Sequence, residues 1–118
     1  MEAAKILLLI LVAITLAEAA DSGEAAARAA MDVKIQKAFD GVIAASPPGQ
    51  TSDTQDAVMK QRFSVSITLA LAGKTGGEKK IVSLATSYEK AADLVIAAPP
   101  ADKLKVMKKE FRAVTDAA

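Results

Sequence analysis

At 118 residues the chain has room for one domain, and its 52% hydrophobic content takes its largest share from alanine, with aromatics at only 3%. Fifteen basic and 14 acidic residues leave a net charge of +1, too small to point to nucleic acid or an anionic membrane as a partner. The chain has no Cys and no His, which removes a disulfide framework, ordinary zinc sites and Ser–His or Cys–His nucleophiles, so no catalytic, metal or cofactor-binding residue is expected.

Residues 1–19 read as a signal peptide. Lys5 precedes an unbroken apolar run from Ile6 to Ile14 that extends to Leu16, and Ala17-Glu18-Ala19 supplies small residues where a signal peptidase reads them. Cleavage between Ala19 and Ala20 leaves a mature domain over 20–118. The run falls short of the roughly 18 apolar residues of a membrane span, so the mature form is expected to be secreted and to hold no stable span. The competing reading is a buried or membrane-anchoring N-terminal helix. Removing Lys5, Glu2 and Glu18 takes 15 basic and 14 acidic residues to 14 and 12, a net charge of +2.

Four helices follow in chain order. The first spans about 24–45, with Met31, Ile35, Ala38, Val42 and Ala45 on one seam and Phe39 and Ile43 widening it. Asp21 or Ser22 can cap its start, and Ser46-Pro47-Pro48-Gly49 ends it. The second begins near Ser52, where Ser52-Asp53-Thr54-Gln55 has capping-box form, and carries Met59, Phe63 and Ile67 at four-residue spacing. From Phe63 to Leu71 the apolar residues also alternate with period two, a strand signature; a lone strand would have no partner, which favours helix. Gly73, Gly76 and Gly77 mark the next break, with Thr75-Gly76-Gly77-Glu78 again at capping-box spacing. The third helix, about 77–97, has the seam Ile81, Leu84, Tyr88, Ala91, Val95. Pro99 and Pro100 stop it, and Pro100 can open the fourth, which shows Leu104, Met107, Phe111 and Val114 on one face and lysines on the rest.

The halves resemble each other. Val42-Ile43-Ala44-Ala45-Ser46-Pro47-Pro48 matches Val95-Ile96-Ala97-Ala98-Pro99-Pro100, and Val58-Met59-Lys60-Gln61-Arg62-Phe63 matches Val106-Met107-Lys108-Lys109-Glu110-Phe111. The expected fold is therefore all-α: an antiparallel four-helix bundle of two repeated helical hairpins. Met59, Phe63, Met107 and Phe111 are its expected repeat core, and Pro47, Pro48, Pro99 and Pro100 its repeat turns.

The third helix, its turn and the fourth helix resemble the group 5/6 grass-pollen allergens. The residues that carry this are Ser87-Tyr88-Glu89-Lys90-Ala91-Ala92, Ala97-Ala98-Pro99-Pro100-Ala101-Asp102-Lys103 and Phe111, with looser matches at Ile35-Gln36-Lys37-Ala38-Phe39 and Ser46-Pro47-Pro48. Leu104 stands after Lys103 where that family has an aromatic. The resemblance implies a secreted plant protein and, as a partner, IgE antibody. It also brings an attributed ribonuclease activity, for which this chain supplies no histidine.

The lysines of the fourth helix are interrupted by acids and interleaved with no stacking aromatic, which argues against nucleic acid. Asp53 and Asp56 more readily serve a helix start than paired acid catalysis, and Ser64, Ser66 and Thr68 have no visible base. Two readings remain: a secreted non-enzymatic protein of pollen-allergen type, or a helical binding module for a small apolar ligand or membrane surface. The physiological partner is not named by the residues, and a homodimer stays open.

Overall fold

The computed structural model describes residues 23–118. Those residues form three helices: α1 (Glu24–Ala44), α2 (Thr51–Ala97) and α3 (Lys103–Ala117), the last entered through a 3-10 turn at Pro100–Asp102. There is no strand among the described residues. The expected signal peptide with Ala17, Ala19 and Ala20, and the expected caps Asp21 and Ser22, lie outside them.

In α1, Met31, Ile35, Ala38, Phe39 and Val42 are buried, the seam that their spacing predicts. The helix closes when the Ala45 amide donates to the Gly41 carbonyl at 3.0 Å. Proline then prevents continuation. The Gln50 amide donates to the Pro47 carbonyl at 3.1 Å, with Pro48 and Gly49 as the central residues. Gly49 has φ 84°, the left-handed backbone that a type II turn requires at its third position.

Helix α2 begins at Thr51, one residue ahead of the expected start, and no side chain caps it. The predicted capping box at 52–55 thus lies inside the first turn. Thr54 is buried there instead; its Oγ1 donates to the Gln50 carbonyl at 3.1 Å and lies against Ser46 Oγ.

Within α2, Gly77 alone leaves helical geometry, with φ 65° and ψ −154°. That region of backbone space is open essentially to glycine only. The chain folds back there. A straight helix would hold Arg62 and Glu89 about 40 Å apart. Yet Arg62 bonds Gln36 at 3.0 Å, while Glu89 pairs with Lys34 at 3.1 Å, on the same stretch of α1. The break expected across three glycines is concentrated in one residue, giving α2 a first arm over 51–76 and a second over 78–97. Gly23 lies beside Val82, and Lys34 beside Glu89 and Asp93, so the second arm runs in the same direction as α1. Helix α3 returns against that arm: Lys103 meets Val95 and Ile96, and Thr115 meets Tyr88.

The interior is organised around three aromatics from three different segments. Phe39 and Phe111 ring centroids are 5.3 Å apart, and Tyr88 and Phe111 are 5.8 Å apart, both pairs tilted. The chain has four aromatic residues in all, so a single cluster holds most of them. The Tyr88 hydroxyl shares a hydrogen bond with Thr115 Oγ1 at 2.6 Å, which satisfies its polar tip inside the core. Around this centre pack Ile81, Leu84, Ala85, Ala91, Ala92 and Val95 of the second arm.

The first arm corrects the expected repeat core. Met107 and Phe111 are fully buried, but Met59 and Phe63 are 63% and 68% exposed. The face turned inward carries Thr54, Val58, Val65, Thr68, Leu69 and Ala72. The matched Val-Met-Lys-x-x-Phe blocks therefore present different faces to the core. Two local facts account for this. Gly49 separates the first Pro-Pro from its helix, whereas Pro100 begins the 3-10 turn directly, and the first block also lies four residues further along the chain from its prolines. The three clustered aromatics already fill the centre, leaving a wall that takes Val, Leu, Ala and Thr.

Candidate functional site

Reactive groups are dispersed over the described surface. Among the described residues, no three His, Cys, Asp or Glu side chains converge as a metal site. Ser66 Oγ and Thr68 Oγ1 donate to carbonyls one turn back in their own helix, Arg62 at 3.1 Å and Ser64 at 2.7 Å. Such bonds occupy a hydroxyl without activating it. Asp53 and Asp56 share an open groove with Lys60, Lys108 and Arg112, so opposite charges alternate there. The lysine-rich face of α3 borders an open groove of about 710 Å³ along Leu104, Lys105, Lys108, Lys109 and Arg112, where Arg112 turns to Asp116 at 3.5 Å.

Two polar arrangements that no local sequence pattern signals link the segments. Lys34 of α1 reaches Asp93 at 2.8 Å and Glu89 at 3.1 Å on the second arm. The hydrogen bond to Asp93, then that to Glu89, raises its ammonium above the ordinary lysine value of 10.5. Lys103 donates to the Val95 and Ile96 carbonyls at 3.1 and 2.7 Å. A cation there supplements the Val95 carbonyl, which also accepts from the Ala98 amide at 3.2 Å, and supplies a donor to the Ile96 carbonyl in the last turn of the helix. Lys103 belongs to the Pro-Pro-Ala-Asp-Lys turn in sequence; its capping role depends on the returning chain and has no sequence signal.

The most distinctive surface is apolar. Met59, Phe63, Ile67 and Leu71 are 63%, 68%, 44% and 56% exposed, and they recur every four residues along one side of the first arm. Successive members of an i, i+4 row adjoin, so the four make a continuous stripe about 18 Å long. Isolated exposed apolar residues such as Val33 and Leu94 are ordinary, whereas a contiguous apolar stripe departs from an ordinary surface. The four-residue spacing of Met59, Phe63 and Ile67 is legible in the sequence, but Met59 and Phe63, expected in the core, lie on the surface, and Leu71 extends the row. Asp56 precedes the stripe by three residues and Lys74 follows it by three; both are exposed.

The class so defined is an all-helical domain with proline-closed turns and an exposed apolar stripe. The chain belongs to the OsI_030282 C-terminal domain family, which matches residues 29–118. It is similar to two proteins of Oryza sativa subsp. indica, uncharacterized proteins OsI_030282 and OsI_031781, each 38% identical over 78 residues. The match covers 66% of this chain and 57% of each relative, so the chain spans little more than half the length of the curated relatives it matches. No solved structure matches it.

Proposed function

We propose that this chain is an exported, non-enzymatic helical protein that acts by surface contact, and that it folds as an antiparallel four-helix bundle of two hairpins. Counted separately, the arms of α2 make four helical passes with α1 and α3, and the reversals at Pro47-Pro48, Gly77 and Pro99-Pro100 support alternation of direction. The observation that carries the functional reading is the exposed stripe from Met59 to Leu71. An apolar surface of that length costs solubility unless something covers it in use. Kinship with the group 5/6 grass-pollen allergens, with IgE as a partner, belongs to the same proposal and is supported by the helix, Pro-Pro turn and helix over 87–111. A ligand inside the bundle is disfavoured because the aromatic centre is filled: Phe39, Tyr88 and Phe111 have no exposed surface.

Catalysis is the outcome that tests this reading. Highly purified protein should show no ribonuclease or protease activity above a mock preparation. Activity that co-purifies quantitatively with the chain and vanishes on one point substitution would overturn it. Export is checked by N-terminal sequencing of secreted material, which should begin at Ala20 or within a residue or two of it.

A further inference from the structure

The geometry points to a second copy of this chain as the occupant of the exposed stripe, docked antiparallel about a two-fold axis level with Val65. This rests on reading the stripe as a contact surface and names its partner. The argument comes from register. Asp56 and Lys74 are eighteen residues apart, about five whole helical turns, so they share one direction around the first arm. That direction bisects the stripe: Met59 and Phe63 lie to one side of it, Ile67 to the other side by about the same angle as Phe63, and Leu71 by about the same angle as Met59. The surface is thus an apolar row closed by an acid at one end and a base at the other, with the exposed Lys60 beside Met59, about 40° from the same direction.

Such a row is complementary to its own reverse. An antiparallel copy centred at Val65 sets Met59 against Leu71 of the partner subunit, Phe63 against Ile67 of the partner subunit, and Asp56 against Lys74 of the partner subunit. Each pair occurs twice, as two-fold symmetry demands. Parallel pairing would instead bring Asp56 to Asp56 and Lys74 to Lys74, like charges at both ends. Among the described residues, neither Asp56 nor Lys74 forms an ion pair within its own chain, although Asp56 also borders the open groove that holds Lys60, Lys108 and Arg112, cations with which a pair across the interface competes. The two-fold passes near Val65, which faces the core, so closing the interface asks for no change inside the bundle.

Sedimentation equilibrium tests this on the full chain and on the chain beginning at Ala20, which keeps every buried core residue described above. We expect a concentration-dependent dimer in the Ala20 form, abolished by Phe63→Asp with helix content unchanged. Asp56→Lys or Lys74→Asp alone should raise the dissociation constant about tenfold, since two attractive pairs become two repulsive ones, and combining them should restore it. The chain has no cysteine, so orientation can be read directly. Mixed Asp56→Cys and Lys74→Cys chains should form a disulfide-linked heterodimer, and neither alone should crosslink. Crosslinking of Asp56→Cys to itself, or a dimer indifferent to Phe63→Asp, would overturn the proposal. So would a chain monomeric at every concentration; if removing residues 1–19 then increased binding of an apolar dye only when Phe63 is present, the leader covers the stripe instead. Enzymatic activity would remove the contact reading without touching the dimer, and a monomer would remove the dimer without supplying an enzyme.

Discussion

Phe39 of α1 and Tyr88 of the second arm of α2 each make one ring contact to Phe111 of α3, joining the three segments. Phe111 is the shared member, so truncating it empties the centre of the fold rather than its edge. Phe111→Ala should cost about 3–5 kcal/mol, the range for a buried phenylalanine site that relaxes incompletely. Phe63→Ala, on an exposed position, should change stability by less than about 0.5 kcal/mol. Urea denaturation at concentrations low enough to keep the chain monomeric decides both, and equal losses would show that the first arm is turned the other way. Lys34 offers a test through pH. Its ammonium is favoured in the folded state by Asp93 and then Glu89, so its contribution is fully present below the ordinary lysine value of 10.5 and is lost as pH rises through the elevated folded value. The stability gap between the chain and Lys34→Met should therefore hold level from neutrality to that point and narrow above it. The gap will be small, because the pair is open to solvent.

At the scale of the helix, Gly77 is where one continuous ladder becomes two arms. A methyl group there would meet no neighbour within 4 Å, so Gly77→Ala isolates the cost of the backbone conformation from any clash. That substitution should destabilise the fold by about 1–3 kcal/mol, measured by denaturation against the unchanged chain. A neutral result would mean that the arms can turn through ordinary helical or extended geometry. The other elements were legible to differing depths. The seams of α1, the second arm and α3 could be read from spacing because each has one apolar face: Ile81, Leu84, Tyr88, Ala91 and Val95 are all buried. The first arm has two. Its period-two run places Phe63, Ile67 and Leu71 on one side of a helix and Val65 and Leu69 on nearly the opposite side, since two residues advance about 200°. Spacing alone cannot choose between two such faces. The choice is made by partners far along the chain, whose aromatics leave that wall room for smaller side chains. The ion pairs of Lys34, 55 and 59 residues apart in sequence, and the cap from Lys103, 7–8 residues from the carbonyls it meets, are contacts between segments that no local pattern announces.

For the whole molecule, a thin core means that a few kilocalories separate the folded chain from its open forms. The proposed dimer would then add to stability by mass action, making the melting temperature rise with protein concentration. The helix of the first arm does something else as well. Residues 63–71, Phe-Ser-Val-Ser-Ile-Thr-Leu-Ala-Leu, contain no charge, no proline and no glycine. In the folded chain the helix divides their apolar side chains between two faces. Unwound, the same residues fall into strict alternation on an extended backbone, the composition and period of a steric zipper. Folding is therefore also a safeguard, because it withholds from neighbouring molecules a segment suited to stack into cross-β fibrils. Holding the protein at its unfolding midpoint should yield thioflavin-positive fibrils protected over 63–71, and Ser66→Lys, a charge on an exposed position inside that segment, should slow their appearance severalfold. Amorphous precipitate with no protected segment would show that the alternation is harmless once the helix is gone.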